Sequence, residues 1–274
     1  MPFILKYLIR LFWLIAGCTF LFPLYWMFSM SFKTKSEAYN NPFGIPQIWD
    51  WLNYSEALTK YPFFLYLKNS LIYTIGTIAI TLVAGSMLAY CLSRMRWRWN
   101  AAALFYISLG LIVPIEVVVI PLFQLIKSLY IKDSYLGLIL PYTGFSLAAC
   151  VLMLYAFLRT LPKELEEAAC IDGSNVYQAF IRIIFPIVMP ALVTQSILIF
   201  MRIWNEFPLA FIIAGKDQFR PLTIGLLSFY INVGISDWGI IAASMVLSSL
   251  PTIIVYLIGN EKIEHALTAG AILK

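Results

Sequence analysis

The chain has 274 residues, of which 61% are hydrophobic and 12% charged, with a mean hydropathy of +0.84. Soluble domains carry roughly 25% charged residues, so this composition excludes an ordinary soluble domain and points to a membrane protein. The formal net charge of +5 is small and dispersed, which speaks against a nucleic-acid partner and fits basic residues flanking membrane spans.

Apolar runs near the ~20 residues needed to cross a bilayer occur at about 11–30, 70–92, 101–126, 135–158, 191–214 and 240–259. They predict an all-α, polytopic fold of six transmembrane helices forming a single domain over 1–274. Ile15-Ala-Gly-Cys18 imitates a lipoprotein cleavage box, but the apolar run continues to Met30 and reads as a span. Residues 31–68, rich in Trp and Tyr, read as an interfacial aromatic belt. Gly85 with Ala89, and Ser244 with Ser248, offer small faces for close helix contact. Pro114 and Pro121 flank Glu116 and predict a kink in the third span. Cys18, Cys91, Cys150 and Cys170 share no close spacing, so neither a disulfide nor a metal site is expected. Arg94, Arg96 and Arg98 stand together between the second and third spans with no acid among them. They place that loop, both termini and residues 159–189 on the cytoplasmic side.

The segment 160–189 is the longest polar interruption late in the chain, and it reads as a helix–corner–helix. Thr160 is suited to cap the first helix and Pro162 to its first turn. Glu164, Glu166 and Glu167 crowd its positive end and read as a solvated face. Asp172-Gly173-Ser174-Asn175 breaks it, with Gly173 free to take φ > 0 and Ser174 or Asn175 placed to cap the second helix. Val176, Phe180, Ile183 and Ile184 give that second helix an apolar stripe, which Pro186 ends or kinks.

Sets of residues for covalent chemistry are missing. No G-x-x-x-x-G-K-[ST] phosphate cradle occurs, the lone His265 lies in the tail, and there is no H-E-x-x-H. Charged residues within the apolar runs are costly and need partners or water. Arg202 and Glu206, four apart, can pair on one helix face, or Arg202 can meet an acidic substrate. Glu116, Arg202, Trp204, Asn205 and Glu206 form the candidate substrate pathway, since amides and indoles suit sugar hydroxyls and apolar sugar faces. Trp204 at a helix packing seam is the competing reading.

Glu167-Ala-Ala169, Gly173 and Ile183-Ile-Phe-Pro186 resemble the EAA loop of bacterial ABC importer permeases, whose usual ending is Ile-x-Leu-Pro. Asn69-Ser-Leu71, Ile120-Pro-Leu122, Tyr135 to Pro141, Trp204-Asn-Glu-Phe207 and Leu267-Thr-Ala-Gly-Ala271 occur in the order of the carbohydrate importers. The likeness is greatest to the smaller permease subunit of the maltose type. It implies that Glu167, Ala168, Ala169, Asp172, Gly173, Ile183 and Pro186 dock on a separate ATPase subunit. It further implies a second permease subunit, two ATPase subunits that bind ATP and Mg, an extracytoplasmic solute-binding protein and a carbohydrate substrate. No cofactor is expected on this chain, and the location implied is the bacterial inner membrane. In those relatives the loop corresponding to Gly215–Trp238 reaches into the binding protein, and the tail approaches the ATPase. An ion-coupled secondary transporter is the alternative, but it gives the acidic helix–corner–helix no role. A membrane-embedded enzyme lacks its catalytic sets.

Overall fold

The structure is a computed structural model that describes residues 2–95, 97–233 and 237–272, with the side chains of 2–4, 228–229, 231–233 and 261–272 outside the description. Arg96 and Gly234 therefore lie outside the described residues, as do the side chains of His265 and of Leu267–Ala271. Among the described residues there is no strand. The helices in chain order are α1 (Pro2–Met30), α2 (Lys35–Asn40), α3 (Leu52–Thr59), α4 (Phe63–Arg94), α5 (Asn100–Leu109), α6 (Ile115–Ser128) and α7 (Tyr135–Thr160). Then come α8 (Glu164–Ile171), α9 (Val176–Ala179), a π turn (Phe180–Ile184), α10 (Phe185–Trp204), α11 (Pro208–Ile213), α12 (Leu222–Val233) and α13 (Trp238–Ile272).

Five described helical stretches are long and apolar enough to cross a membrane: Leu5–Met30, Phe63–Arg94, Tyr135–Thr160, Val176–Trp204 and Trp238–Asn260. The stretch expected as one span at 101–126 differs, because it is divided into α5 and α6 by an irregular turn at 110–114. Pro114 has no N–H to donate and its ring clashes with the preceding turn, so the helix stops and restarts with Pro114 at its N-cap. Gly110 lies in that turn, where an added Cβ would stand 3.0 Å from the Ala148 Cβ of α7. The stretch expected at 191–214 is divided as well, α10 ending at Trp204 and α11 beginning at Pro208.

The chain forms two compact units. The first comprises Met1–Leu67 with Ile224–Pro251. Its core includes Met30, Ala38 and Ala242, with Trp26 and Trp238 packed against them. The aromatic connection 31–68 is more than an interfacial belt, since it folds into α2, α3 and a ring cluster. Phe32 is buried, with Trp49, Trp51 and Tyr54 at centroid distances of 4.9, 4.8 and 5.2 Å. Asn53 donates to the carbonyls of Ser31 and Lys33 at 3.0 and 2.9 Å, satisfying backbone left over where α1 ends. Lys33 is fully buried and donates its ammonium to the Asn41 carbonyl. Burial lowers the Lys33 pKa, and nearby Glu37 partly offsets that shift.

The second unit comprises Lys68–Thr223 with Thr252–Lys274. Its core is built by α4, α7, the π turn and α10 through Ala89, Tyr90, Leu92, Cys150, Leu154, Leu158, Ile184, Val188 and Leu192. Close approach of α4 to α7 depends on missing side chains. A Cβ on Gly85 would fall 2.7 Å from Cys150 Sγ, and one on Gly76 would fall 2.9 Å from Ile139 Cδ1. Cys150 is buried and in no disulfide, and its thiol donates to Thr81 O at 3.7 Å.

Candidate functional site

The helix–corner–helix is present, with a sharper local logic than its residue types alone define. α8 has Glu164, Glu166 and Glu167 in its first turn, where the free N–H groups favour negative charge. It ends in a Schellman arrangement: Gly173 N–H donates to Cys170 O at 3.1 Å and Ser174 N–H to Ala169 O at 2.9 Å. That geometry requires a left-handed residue, and Gly173 supplies φ +83°. Asn175 then caps α9 in a reciprocal box with Gln178, both bonds being 2.9 Å.

Three local expectations are corrected. Thr160 does not cap α8; it is the last residue of α7, and its hydroxyl bonds back to Phe157 O at 2.7 Å. Pro162 precedes α8 instead of occupying its first turn, and Lys163 is the N-cap residue. Nor does Pro186 end the second helix. The chain runs from α9 through the π turn directly into α10, with Phe185 N–H reaching Phe180 O five residues back. Pro186 would clash with a carbonyl in a tight preceding turn, and the wider π turn accommodates it. The apolar stripe shifts accordingly: Ile184 is fully buried, Ile183 half-buried and Val176 exposed.

Of the residues expected at the docking surface, Glu167, Ala168, Asp172, Gly173 and Pro186 are exposed, and Ala169 is buried. Around them stand apolar side chains without cover from this chain: Ile171 is 86% exposed and Tyr177 77%. They form an uncovered apolar patch beside the acidic first turn of α8.

The candidate pathway residues do not form one cluster. The expected Arg202–Glu206 ion pair is absent among the described residues. α10 ends at Trp204 with Asn205 as C-cap, so Glu206 no longer lies one helical turn from Arg202. Arg202 instead donates to Phe145 O at 3.0 Å. The Glu206 carboxylate accepts the backbone N–H groups of Leu209 at 2.7 Å and Ala210 at 3.1 Å, along with the Tyr142 hydroxyl. It thus neutralises the free donors at the start of α11. Trp204 is buried and stacked on Phe200 at 5.2 Å, which is the packing-seam reading. Asn205 is exposed and donates back to Met201 O at 2.8 Å. Glu116 is exposed in the first turn of α6 and makes no ion pair among the described residues.

Near the start of α4, Asn69 has a role its residue type alone did not disclose. Its amide donates to Gln218 O at 3.0 Å and Arg220 O at 2.9 Å, and Ser70 accepts from Leu222 N–H at 2.8 Å. Asp133 accepts from Gly215 and Lys216 N–H at 2.7 and 3.0 Å. The segment 215–222 is thereby fixed to α4 and to the α6–α7 connection. Sequence separations of 82 to 152 residues left no local signal for these bonds.

Comparison with known proteins agrees with this architecture. Residues 81–268 match the family described as "Binding-protein-dependent transport system inner membrane component". The chain is 32% identical to the sulfoquinovosyl glycerol transport system permease protein SmoH of Agrobacterium fabrum, covering 92% of this chain and 88% of that one. It is also 32% identical to the trehalose transport system permease protein SugB of Mycobacterium tuberculosis, covering 92% of each. Diacetylchitobiose uptake system permease protein DasC of Streptomyces coelicolor is 32% identical over 92% of this chain and 91% of its own length. The fold matches a chain of a bacterial ABC transporter involved in the import of the acidic polysaccharide alginate. There the TM-score is 0.85 at 23% identity, over 94% of this chain and 96% of that one.

A helical chain with several span-length apolar helices and an exposed, acidic helix–corner–helix is the class that fold and site define. The chain belongs to the family of binding-protein-dependent transport system inner membrane components. It is a multi-pass permease subunit of an ABC importer and a transport subunit, not an enzyme.

Proposed function

We propose that this permease imports a carbohydrate, forming half of a translocation path whose other half is a second permease subunit. The sugar-importer relatives support a saccharide cargo. Two ATPase subunits, binding ATP and Mg themselves, work beneath the pair, and a solute-binding protein delivers substrate from outside. Both termini and residues 159–189 face the cytoplasm. Closure of the ATPase subunits displaces the 163–186 element and shifts the helices between inward- and outward-open states.

One observation carries the reading: α8 and α9 are rigidly capped around Gly173, yet present Ile171 and Tyr177 to solvent. A stiff, capped corner with an uncovered apolar face is suited to receive force from a partner. Glu167, exposed beside that face, gives the surface its charge. In membranes solubilised with mild detergent, ATPase subunits should copurify with the wild-type chain. Glu167→Lys and Ile171→Asp should lose most of them while the permease remains at normal abundance. Full ATPase retention in both variants would overturn the docking assignment.

A further inference from the structure

One glutamate of the acidic turn does not face water. Glu166 is only 17% exposed, and its partner Arg94, the last residue of α4, is 6% exposed. Arg94 Nε stands 2.8 Å from Glu166 Oε1, as a charge contact whose angles fall short of a hydrogen bond. The same guanidinium donates from its other arm to Leu161 O at 3.0 Å. Leu161 caps α7 and leads into α8, so one side chain grips both the root of α8 and its first turn. One helical turn earlier on α4, the Tyr90 hydroxyl reaches Glu166 Oε2 at 3.4 Å. The Tyr90 ring also packs on Phe180 at 4.9 Å, at the start of the π turn.

The end of α4 therefore touches both arms of the helix–corner–helix, α8 through Arg94 and the second arm through Tyr90. From this geometry we propose that Arg94 and Glu166 are a positioning pair that transmits displacement of the 163–186 element into α4. The proposal rests on the reading of that element as the ATPase docking surface. Van der Waals packing resists compression steeply but withdrawal only weakly per contact. An ion pair screened from water, together with a charge-assisted bond to a carbonyl, resists both. Glu166 differs in this from Glu167: the former is turned toward α4, whereas the latter is exposed.

The test uses the complete importer reconstituted in liposomes, with MgATP inside and the cognate binding protein, as purified, outside. Arg94→Met and the isosteric Glu166→Gln should keep ATPase subunits within about twofold of wild type, because the docking face is untouched. Stimulation of ATP hydrolysis by the binding protein should fall at least about fivefold in both, while basal hydrolysis persists. Arg94→Lys, which keeps the charge but only one of the two grips, should retain about half of the stimulation. If Arg94→Met does not accumulate, Glu166→Gln carries the comparison. Wild-type stimulation in Glu166→Gln overturns the proposal. So does loss of ATPase subunits in step with stimulation, or an Arg94→Lys no better than Arg94→Met. Failure of the docking reading is separate, since it is read from ATPase retention in Glu167→Lys.

Discussion

The Tyr142 hydroxyl of α7 and the Glu206 carboxylate meet in a hydrogen bond at the break between α10 and α11. Glu206 also takes two backbone N–H groups of α11, so one carboxylate fixes that helix start against α7. Removing it by Glu206→Ala leaves two amide donors and a buried hydroxyl without their acceptor. The expected loss is about 2–3 kcal/mol, read as a lower melting temperature of the detergent-solubilised subunit. Glu206→Gln keeps one acceptor oxygen and should fall between. Arg202→Ala loses one exposed bond to a carbonyl and should change stability by about 1 kcal/mol or less. The double variant Arg202→Ala/Glu206→Ala should be additive within about 0.5 kcal/mol. Recovery of stability in the double variant would reinstate a direct pair.

The contact between Gly85 and Cys150 makes a second cycle. Gly85→Ala places a methyl 2.7 Å from the sulfur of Cys150, a residue that is itself fully buried. Overpacking of this kind costs about 1–3 kcal/mol. Cys150→Ala leaves only a Cβ at 3.3 Å and should relieve most of the strain. A coupling energy near zero in thermal unfolding would show that α4 and α7 part easily at this level.

Much of the fold and of the docking corner could be read from residue types because their causes are local. Gly173, Asn175 and the glutamates of α8 act on their own backbone within a few residues, so spacing alone discloses their roles. The apolar runs disclose the long helices for the same reason. Proline was legible as a disturbance but not as an outcome: Pro114 splits a span, whereas Pro186 is absorbed by a π turn. Which happens depends on whether neighbouring packing holds the wider turn in place. Here Ile184 and Phe185 anchor it in the core. Arg202 with Glu206 failed as a pair because helical spacing applies only while the helix lasts, and α10 stops at Trp204. The Arg94–Glu166 contact joins residues that no pattern relates. Orientation rests on the placement of Arg94, Arg96 and Arg98 alone, because acidic partners count little in the rule that sets it.

Orientation is therefore tested directly. Lys163 and Lys216 are both exposed, one at the head of α8 and the other in the segment 215–222. With Cys18, Cys91, Cys150 and Cys170 replaced, single cysteines at these positions should react oppositely with an impermeant thiol reagent in whole cells. Position 216 should label and position 163 should not. The reverse pattern would invert the assignment of both termini and of the docking face.

The left-handed corner gives the sharpest separation of causes. No atom lies within 4 Å of a Cβ built on Gly173, so within this chain a side chain there meets open space. The penalty for substitution is accordingly one of backbone conformation, about 1–2 kcal/mol for an ordinary L-residue at φ +83°. Asn tolerates this region better than other residues, and a β-branched side chain tolerates it worst. ATPase retention should therefore rank Gly173, then Asn, then Ala, then Val, while membrane abundance stays constant because the corner lies outside the spans. A different order would identify a different cause. If Gly173→Asn loses the ATPase as completely as Gly173→Val, the glycine is required for close approach of the partner rather than for its φ. Equal retention in all four would remove the corner from the coupling path, leaving α8 and α9 to act without it.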